Sequence, residues 1–210
     1  MTLPETSSAL PPAHPLTAPS DWVRRWAHLV PVGGPVLDVA CGAGRHLRFF
    51  AERGHAVCGI DRDIGAARSL ASALPGGAGV QPALELLEAD IESGPWPLNV
   101  GTQPRRFAGV VVTNYLWRPL FSTLLDSVAE GGVLLYETFA RGHETVGRPS
   151  RPEFLLQTGE LLQRCAGLQV VAFEQGFLSG PDRFVQRIAA VRPSLPRLHP
   201  GAVHRYSLSG

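Results

Sequence analysis

The sequence predicts an α/β protein with a single doubly wound, mostly parallel seven-stranded sheet that ends in an antiparallel hairpin. Three observations predict this fold. The apolar residues Val36, Leu37 and Val39 precede two glycines and a helix-like segment, as a buried parallel strand precedes its crossover helix. Further apolar runs along the chain end at acidic residues. The last two runs, residues 168–174 and 184–191, are too close in sequence for a crossover helix, so we expect them to be antiparallel.

The other elements follow in order along the chain. Strand-like runs lie at residues 55–60, 86–90, 107–115 and 131–137. Ser20 can cap a helix through Val30, whose apolar residues have helical spacing. Further helices are predicted at residues 45–53, 64–74 and 120–129, and at a segment that begins at Pro152 or Gly159 and ends at Ala166. Residues 94–106 contain several prolines and glycines, which predicts an irregular surface connection.

The composition indicates one domain with a proper core. The chain has 210 residues, 44% of them hydrophobic, and residues 19–192 are assigned to this domain. Residues 1–18 are predicted to be a flexible N-terminal arm, and residues 193–210 a loosely docked C-terminal tail. The formal net charge of +1 provides no global field that would attract nucleic acid or an anionic membrane, so neither partner is expected.

The location that the sequence indicates is the cytoplasm. The N-terminal segment lacks the basic start and apolar core of a signal peptide, and no apolar run approaches the about 18 residues of a membrane-spanning helix. Cys41, Cys58 and Cys165 form no Cys-x-x-Cys pair, which argues against a zinc site or a disulfide framework and fits a reducing compartment. No metal site is predicted.

The glycine turn after the first strand is the strongest functional signal. Gly42 and Gly44 would let a ligand approach bare backbone at the carboxyl edge of the sheet. A dinucleotide fingerprint requires a third glycine three positions later, where this chain has Leu47, and no Gly-Lys-Ser/Thr follows. The turn is therefore not of a phosphate-binding type.

Two acidic residues follow later strands. Asp61 ends the second strand, close to the offset of about 20 residues at which an acid binds ribose hydroxyls. Asp90 ends the third. Together, Asp38-Val-Ala-Cys-Gly-Ala-Gly44, Gly59-Ile-Asp61 and Ala89-Asp-Ile91 resemble the motifs of class I S-adenosylmethionine-dependent methyltransferases, in the same order and spacing. The resemblance covers roughly residues 22–191 and implies a Rossmann-like methyltransferase fold with S-adenosyl-L-methionine as co-substrate.

The resemblance also implies residue roles. Gly42 and Gly44 would admit the methionine part, and Asp38 would orient the loop or the amino group. Asp61 would accept the ribose hydroxyls, with helix capping as its alternative; Asp90 would bind the adenine amine beside Ile91, with an exposed turn acid as its alternative. Cys41 could face the ligand or be a small residue in a tight bend. The complete set of cofactor-binding candidates is Asp38, Ala40, Cys41, Gly42, Gly44, Asp61, Arg62, Asp90, Ile91 and Asn114.

The acceptor is expected between the end of the fourth strand and the loop at residues 139–152. The strand end matches the Asn/Asp-Pro-Pro-Tyr/Phe motif of amino-methylating enzymes only at Asn114, which argues against a nucleic-acid substrate and favours a small molecule. No catalytic residue can be assigned; the candidates are Tyr115, Arg118, His143 and Glu137, with exposure to solvent as the alternative for His143. The Glu137-Thr-Phe start, Gly147-Arg-Pro149 and Gly159-Glu-Leu161 are similar to small bacterial methyltransferases of a tellurite-resistance-like subgroup.

The main prediction is methyl transfer from S-adenosylmethionine to a small-molecule acceptor by in-line displacement, with catalysis mostly by positioning. Two alternatives remain: an NAD-dependent oxidoreductase, which Leu47 argues against, and a non-catalytic S-adenosylmethionine-binding adaptor. We expect replacement of Gly44 by valine to abolish donor binding and to leave the protein folded. Replacement of Tyr115 or Arg118 should reduce acceptor turnover and spare donor affinity.

Overall fold

A seven-stranded sheet organises the protein in the computed structural model, which describes residues 18–70, 83–194 and 205–208. The strands are β1 (Val36–Val39), β2 (Val57–Asp61), β3 (Leu84–Glu88), β6 (Phe107–Thr113), β7 (Val128–Phe139), β8 (Gln169–Leu178) and β9 (Arg183–Val191). Their order across the sheet is β3-β2-β1-β6-β7-β9-β8. The strands β1, β2, β3, β6 and β7 run parallel, and β9 pairs antiparallel with both β7 and β8. This confirms the predicted sheet and its final hairpin.

Helices cover both faces of this sheet, as a doubly wound fold requires. One apolar cluster joins α1 (Asp21–Trp26) and α2 (Arg45–Ala51) to Val36 and Val111. The cluster on the other face joins α4 (Phe121–Asp126) and α5 (Glu160–Arg164) to Leu37 and Val110. The short helix α3 (Gly65–Arg68) follows β2. The successive residues Val36 and Leu37 of β1 thus belong to different clusters, because successive strand side chains point to opposite faces.

The N-terminal helix is capped as the sequence predicts. The Ser20 hydroxyl accepts a hydrogen bond from the backbone N–H of Trp22, at 3.1 Å. The α-helical part ends at Trp26, and a 3₁₀ turn at Ala27–Leu29 continues it. The indole N–H of Trp22 donates to the carbonyl of Ile188 in β9, at 3.1 Å. The helix is therefore fixed to the sheet by both packing and a buried hydrogen bond.

Several predicted elements differ from the observed ones. The third strand, predicted at residues 86–90, ends at Glu88, so Asp90 follows the strand and does not end it. Residues 94–106 are not wholly irregular, because β4 (Asn99–Val100) pairs with β5 (Gln103–Pro104) in a small hairpin. The helix predicted at 120–129 ends at Asp126, since Val128 already pairs with Phe107 in the sheet. Of the two predicted starts for the last helix, Gly159 is correct, and Pro152–Phe154 forms a separate 3₁₀ turn.

Some predictions concern residues that the structure leaves undescribed. The arm at residues 1–18 and the tail at residues 193–210 lie largely outside the described residues and remain predictions, as does the end of the helix predicted at residues 64–74. Within the described ranges, no helix is both long and apolar enough to cross a membrane.

Candidate functional site

The turn between β1 and α2 has an unusual backbone. Ala40, Gly42 and Gly44 all have positive φ angles, of 54°, 53° and 80°. A positive φ angle causes no steric strain for glycine but is unfavourable for alanine. The backbone N–H of Gly44 donates to the carbonyl of Cys41 at 2.9 Å, which closes the turn ahead of α2. Strain at Ala40 is a feature that the sequence does not reveal, and it lies on the wall of the cleft described below.

The two glycines of this turn face different surroundings. A Cβ atom added to Gly44 would lie 2.3 Å from Cδ1 of Leu70, whose side chain is fully buried. A Cβ atom added to Gly42 would meet no atom within 4 Å. Gly44 is thus required by the packing of α2 and α3, whereas Gly42 faces open space.

We therefore expect Gly44→Val to lower the free energy of unfolding by about 2–5 kcal/mol, from backbone strain and overpacking together. This adds a loss of stability to the expected loss of donor binding. Gly42→Ala is the matched control, because it has a similar φ angle without the clash, and it should cost about 1–2 kcal/mol. Urea unfolding measures both; equal losses in the two variants would contradict the clash with Leu70.

Asp61 holds the glycine turn in place. Its Oδ2 accepts a hydrogen bond from the backbone N–H of Gly42 at 2.8 Å, and its Oδ1 accepts from that of Asp63 at 3.1 Å. The first N–H of α3, at Gly65, is bonded by Asp63 instead. Asp61 is therefore not the cap of α3, and its carboxylate connects the ends of β1 and β2.

Asp90 organises the turn after β3. Its carboxylate accepts hydrogen bonds from the hydroxyl of Ser93 at 2.5 Å and from the backbone N–H groups of Glu92 and Ser93 at 3.0 and 3.3 Å. The Ser93 hydroxyl, followed by the Glu92 N–H, lowers the pKa of Asp90 below its ordinary value. Asp90 is thus an exposed turn acid, which is the alternative interpretation of this residue. It also lines the cleft described below as a carboxylate.

A cleft of about 450 Å³ opens at the carboxyl ends of β1, β2 and β3. Five of its lining residues are on the list of cofactor-binding candidates, namely Ala40, Asp61, Arg62, Asp90 and Ile91. The others are Ala89, Glu92, Tyr115 and Phe154. Three carboxylates and one guanidinium lie on this wall, so its local charge is negative at neutral pH. Such a wall favours a cationic ligand over an anionic one.

Asp38 lies buried below this edge of the sheet and is only 1% exposed. Neither carboxylate oxygen has a hydrogen-bond partner in the described parts of the chain, and the nearest cation-forming group, Nδ1 of His46, is 3.6 Å from Oδ2. The Nε2 atom of His46 lies 3.2 Å from the backbone N–H of Ser20 and accepts from it, so a neutral ring carries its proton on Nδ1. A buried carboxylate without hydrogen bonds has unused capacity to accept them.

A second, smaller cavity of about 240 Å³ adjoins the cleft, because Glu92, Tyr115 and Phe154 line both. Its other lining residues are Asn114, Leu116, Thr138, Phe139 and Pro149. Asn114 has a positive φ of 55°, a second strained position at this sheet edge. The family resemblance assigns Asn114 to donor binding, but in the structure Asn114 lines the second cavity and not the cleft.

Tyr115 separates the two cavities. Its hydroxyl is buried and forms no hydrogen bond of ordinary geometry with the residues described. Burial, followed by the charge of the nearby Glu92, raises the pKa of this phenol, so it stays protonated at neutral pH. Tyr115 can donate a hydrogen bond here but cannot act as a base.

Comparisons with known proteins give the fold a family context. No protein-family model and no curated protein matches the chain. Solved structures do match. TehB from Haemophilus influenzae has a TM-score of 0.61 and 16% identity; the match covers 82% of this chain and 61% of TehB. A methyltransferase from Methanosarcina mazei has a TM-score of 0.61 and 15% identity; the match covers 85% of this chain and 100% of that protein. The glycopeptide N-methyltransferase MtfA, complexed with sinefungin, has a TM-score of 0.55 and 20% identity; the match covers 80% of this chain and 90% of MtfA.

The chain has the fold of the S-adenosylmethionine-dependent methyltransferases. In this methyltransferase fold, the cleft lies at the edge of the sheet where parallel strands end, the usual place for ligands in open α/β sheets. The match to TehB does not extend over that whole protein, since this chain spans 61% of its length.

Arg118 does not line either cavity of the methyltransferase fold. Its Nε and Nη2 donate to the two carboxylate oxygens of Glu160, both at 2.8 Å. Its Nη1 and Nη2 also donate to the carbonyls of Glu153 and Leu155, at 2.6 and 2.9 Å. The expectation that Arg118 contacts the acceptor is wrong for this structure, because these contacts occupy all three nitrogens. Arg118 instead fixes the backbone on both sides of Phe154.

The two predicted bases are also engaged in the structure. Glu137 is buried, and its carboxylate accepts from the Ser20 hydroxyl at 3.0 Å and from Arg187 at 3.3 Å. His143 is only 3% exposed, which contradicts the solvent-facing alternative; it stacks on Phe139 and its Nε2 lies 2.9 Å from the carbonyl of Arg148. Neither lines the two cavities.

The remaining candidate of the glycine turn, Cys41, has a structural position. The Cys41 thiol is buried under the turn, and burial followed by the charge of Asp38 raises its pKa, so it stays a neutral thiol. This favours the reading of Cys41 as a small residue in a tight bend. Arg45 donates to the Thr113 hydroxyl at 3.4 Å and to the carbonyl of Ala18 at 3.5 Å, which ties α2 to β6.

Sequence reasoning missed Glu92 and Phe154. Glu92 directly follows the Ala89-Asp-Ile91 motif, so its position beside a predicted site residue was the available signal. Phe154 reaches the cleft from the turn Pro152–Phe154, far along the chain from the strand ends. No local pattern connects this residue to the strand ends.

Proposed function

We propose that the protein is a cytoplasmic bacterial methyltransferase that uses S-adenosyl-L-methionine to methylate a small-molecule acceptor. The observation that carries the proposal is the acid-lined cleft beside the glycine turn, at the carboxyl ends of β1, β2 and β3. The three free cysteines are consistent with a reducing compartment. The neighbouring structures that are methyltransferases, one of them acting on glycopeptides, agree with this chemistry.

The residues present fit the donor. Its sulfonium and amino groups are cations, and Asp61, Asp90 and Glu92 give the cleft a negative wall. Gly42 leaves open space above its backbone. Asp38 is buried and does not line the cleft, which favours a role in orienting the glycine turn over direct contact with the amino group. The pyrophosphate of NAD would instead bring negative charge against the same wall. The charge of the cleft therefore favours S-adenosylmethionine over the oxidoreductase alternative.

The chemistry requires little from the protein beyond positioning. The donor methyl group is already activated, so the site has to align the acceptor atom with the C–S bond and exclude water. The adjoining cavities could do this, because Tyr115 and Phe154 face both of them.

Isothermal calorimetry of the full chain with S-adenosylmethionine, S-adenosylhomocysteine and NAD tests the donor. We expect binding of the first two and none of NAD. Saturable NAD binding without S-adenosylmethionine binding would reject the proposal in favour of the oxidoreductase.

Transfer of a tritiated methyl group to a metabolite extract then distinguishes the enzyme from a non-catalytic adaptor, which would bind the donor and label nothing. Labelling of RNA or DNA, with none of the small-molecule fraction, would refute the small acceptor.

Tyr115→Phe is expected to lower methyl transfer about tenfold or more, because the hydrogen-bond donor that can orient an acceptor between the two cavities is lost. Donor affinity should stay unchanged, because the ring remains. The unfolding free energy should change by less than about 1 kcal/mol, since the hydroxyl that is removed is buried and has no hydrogen bond of ordinary geometry. Tyr136→Phe is the matched control: that hydroxyl donates to the carbonyl of Tyr115 at 2.9 Å, so its loss should lower stability by about 1 kcal/mol. Tritium transfer and urea unfolding measure both; full activity of Tyr115→Phe would remove Tyr115 from the site.

A further inference from the structure

The wall of the second cavity restricts the kind of acceptor it can hold. Most of it is apolar or aromatic, from Leu116, Phe139, Pro149 and Phe154 together with the ring of Tyr115. Its volume of about 240 Å³ is below the range of about 300–1,000 Å³ found for drug-sized ligands. The shape and surface suit a small flat molecule that packs against aromatic rings.

The charge of the wall excludes anionic acceptors. Glu92 is the charged side chain on it, and neither arginine nor histidine lines this cavity in the part of the chain that the structure describes. Asp90 and Asp61 lie on the wall of the neighbouring cleft. A carboxylate, a phenolate or a metalloid oxyanion would therefore meet Glu92 with no cationic side chain among the described residues of the same wall, which is unfavourable.

A nucleophile that must first lose a proton is also disfavoured. A phenol or thiol acceptor needs a general base within hydrogen-bond reach. The hydroxyl of Tyr115 stays protonated, the Glu137 carboxylate is bonded to Ser20 and Arg187, and His143 does not line the cavity. Glu92 is the remaining carboxylate on this wall: a proton taken from the acceptor would neutralise it, whereas an acceptor that becomes a cation keeps it as a counter-charge. The wall suits a nucleophile that attacks as a neutral lone pair and becomes a cation.

We propose that the second cavity binds an uncharged heteroaromatic nitrogen base and that the protein methylates its ring nitrogen, an inference that rests on the proposed methyl transfer. The nitrogen lone pair forms the new N–CH₃ bond while the C–S bond of the donor breaks and its electron pair returns to sulfur. The positive charge moves from sulfur to nitrogen, and no proton has to leave. Glu92 and the aromatic rings of Phe139 and Phe154 stabilise the resulting cation.

Binding to the full chain saturated with S-adenosylhomocysteine tests the charge preference. The probes are quinoline, its methylated product N-methylquinolinium, and 2-naphthoate as an anion of similar size. We expect quinoline and N-methylquinolinium to bind and naphthoate not to bind. Glu92→Gln should weaken N-methylquinolinium about three- to tenfold and leave quinoline within twofold, because only the product carries a full charge. Glu52→Gln, an exposed carboxylate paired with Arg48 away from both cavities, should change neither.

A turnover experiment completes the test. With tritiated S-adenosylmethionine, we expect labelled N-methylquinolinium and no labelling of 2-naphthol, 2-naphthoate or tellurite. Tighter binding of naphthoate than of quinoline, no quinoline binding at millimolar concentration, or labelling of naphthol or tellurite in place of quinoline would each overturn the inference. A protein that does not bind S-adenosylhomocysteine at all fails at the earlier step, and that result rejects the proposed function itself.

Discussion

Asp61→Ala is expected to weaken S-adenosylmethionine binding by about 1.5–3 kcal/mol, which is roughly tenfold to more than a hundredfold in the dissociation constant. Asp61 lies on the wall of the proposed donor cleft, where its carboxylate would accept the ribose hydroxyls. The same carboxylate bonds the backbone N–H of Gly42. The alanine variant would therefore lose a charged acceptor and also release the glycine turn. Calorimetry measures the effect, and an unchanged dissociation constant in a variant with a normal circular dichroism spectrum would refute the assignment.

Two further variants separate these contributions. In Asp61→Asn the amide oxygen can still accept from Gly42, so the turn is kept while the charge is lost, and the loss of affinity should be smaller than in the alanine variant. Asp63→Ala is the matched control, because Asp63 is a neighbouring exposed acid whose carboxylate bonds Gly65 and does not line the cleft. It should leave donor affinity unchanged. A similar loss in Asp63→Ala would indicate a general change in the loop after β2.

The placement of the glycine turn and its acids at one edge of the sheet, the proposed donor side, could be predicted from sequence because its determinants are local. Each parallel strand ends at the same edge of the sheet, so Gly42, Asp61 and Asp90 come together once the strands are recognised. The offset between Gly42 and Asp61 corresponds to a direct hydrogen bond of 2.8 Å. Strand recognition was therefore enough to assemble the glycine turn and its two acids.

The acceptor side could not be predicted in the same way. Arg118 and Glu160 are 42 residues apart, and nothing local indicates that the arginine following β6 pairs with the first residue of α5. Glu137 is polar at a strand end, which suggests a base, but α1 brings Ser20 against it from a distance of 117 residues. His143 lies in a polar loop and is nevertheless buried by stacking on Phe139. Each of these roles depends on a partner that only the folded chain supplies.

Arg118→Ala is expected to have the second large effect, lowering the free energy of unfolding by about 2–4 kcal/mol. The side chain of Glu160 is 8% exposed, and removing one partner of a buried pair leaves an uncompensated charge. Arg164, which bonds the same carboxylate at 3.1 Å, would offset part of this loss. Urea unfolding gives the magnitude, and a change below about 0.5 kcal/mol would show that the pair contributes no more than an exposed ion pair.

The acid side of the stability profile tests the same pair. Burial raises the pKa of Glu160, but the hydrogen bonds from Arg118 and the Gln157 N–H outweigh it and leave the pKa below its ordinary value of 4.5. A depressed folded-state pKa gives stability that is fully present above that ordinary value and is lost as the pH falls through the folded-state value. Glu160→Gln should therefore flatten the acid limb of the unfolding free energy. An acid limb as steep as that of the unmodified protein would contradict this role of Glu160.

Arg118→Ala should also weaken ligand binding, through Phe154 and not through contact with the ligand. Arg118 donates to the carbonyls of Glu153 and Leu155, and Phe154 between them lines both cavities. Arg164→Ala is the matched control, because Arg164 bonds the same Glu160 carboxylate and makes no hydrogen bond to those two carbonyls. Donor and acceptor affinities should both fall in Arg118→Ala and stay unchanged in Arg164→Ala. Arg118→Lys should resemble the alanine variant in binding, since an ammonium cannot reproduce the planar fork that spans a carboxylate and two carbonyls. Normal donor and acceptor affinities in folded Arg118→Ala would show that Phe154 keeps its place without the guanidinium.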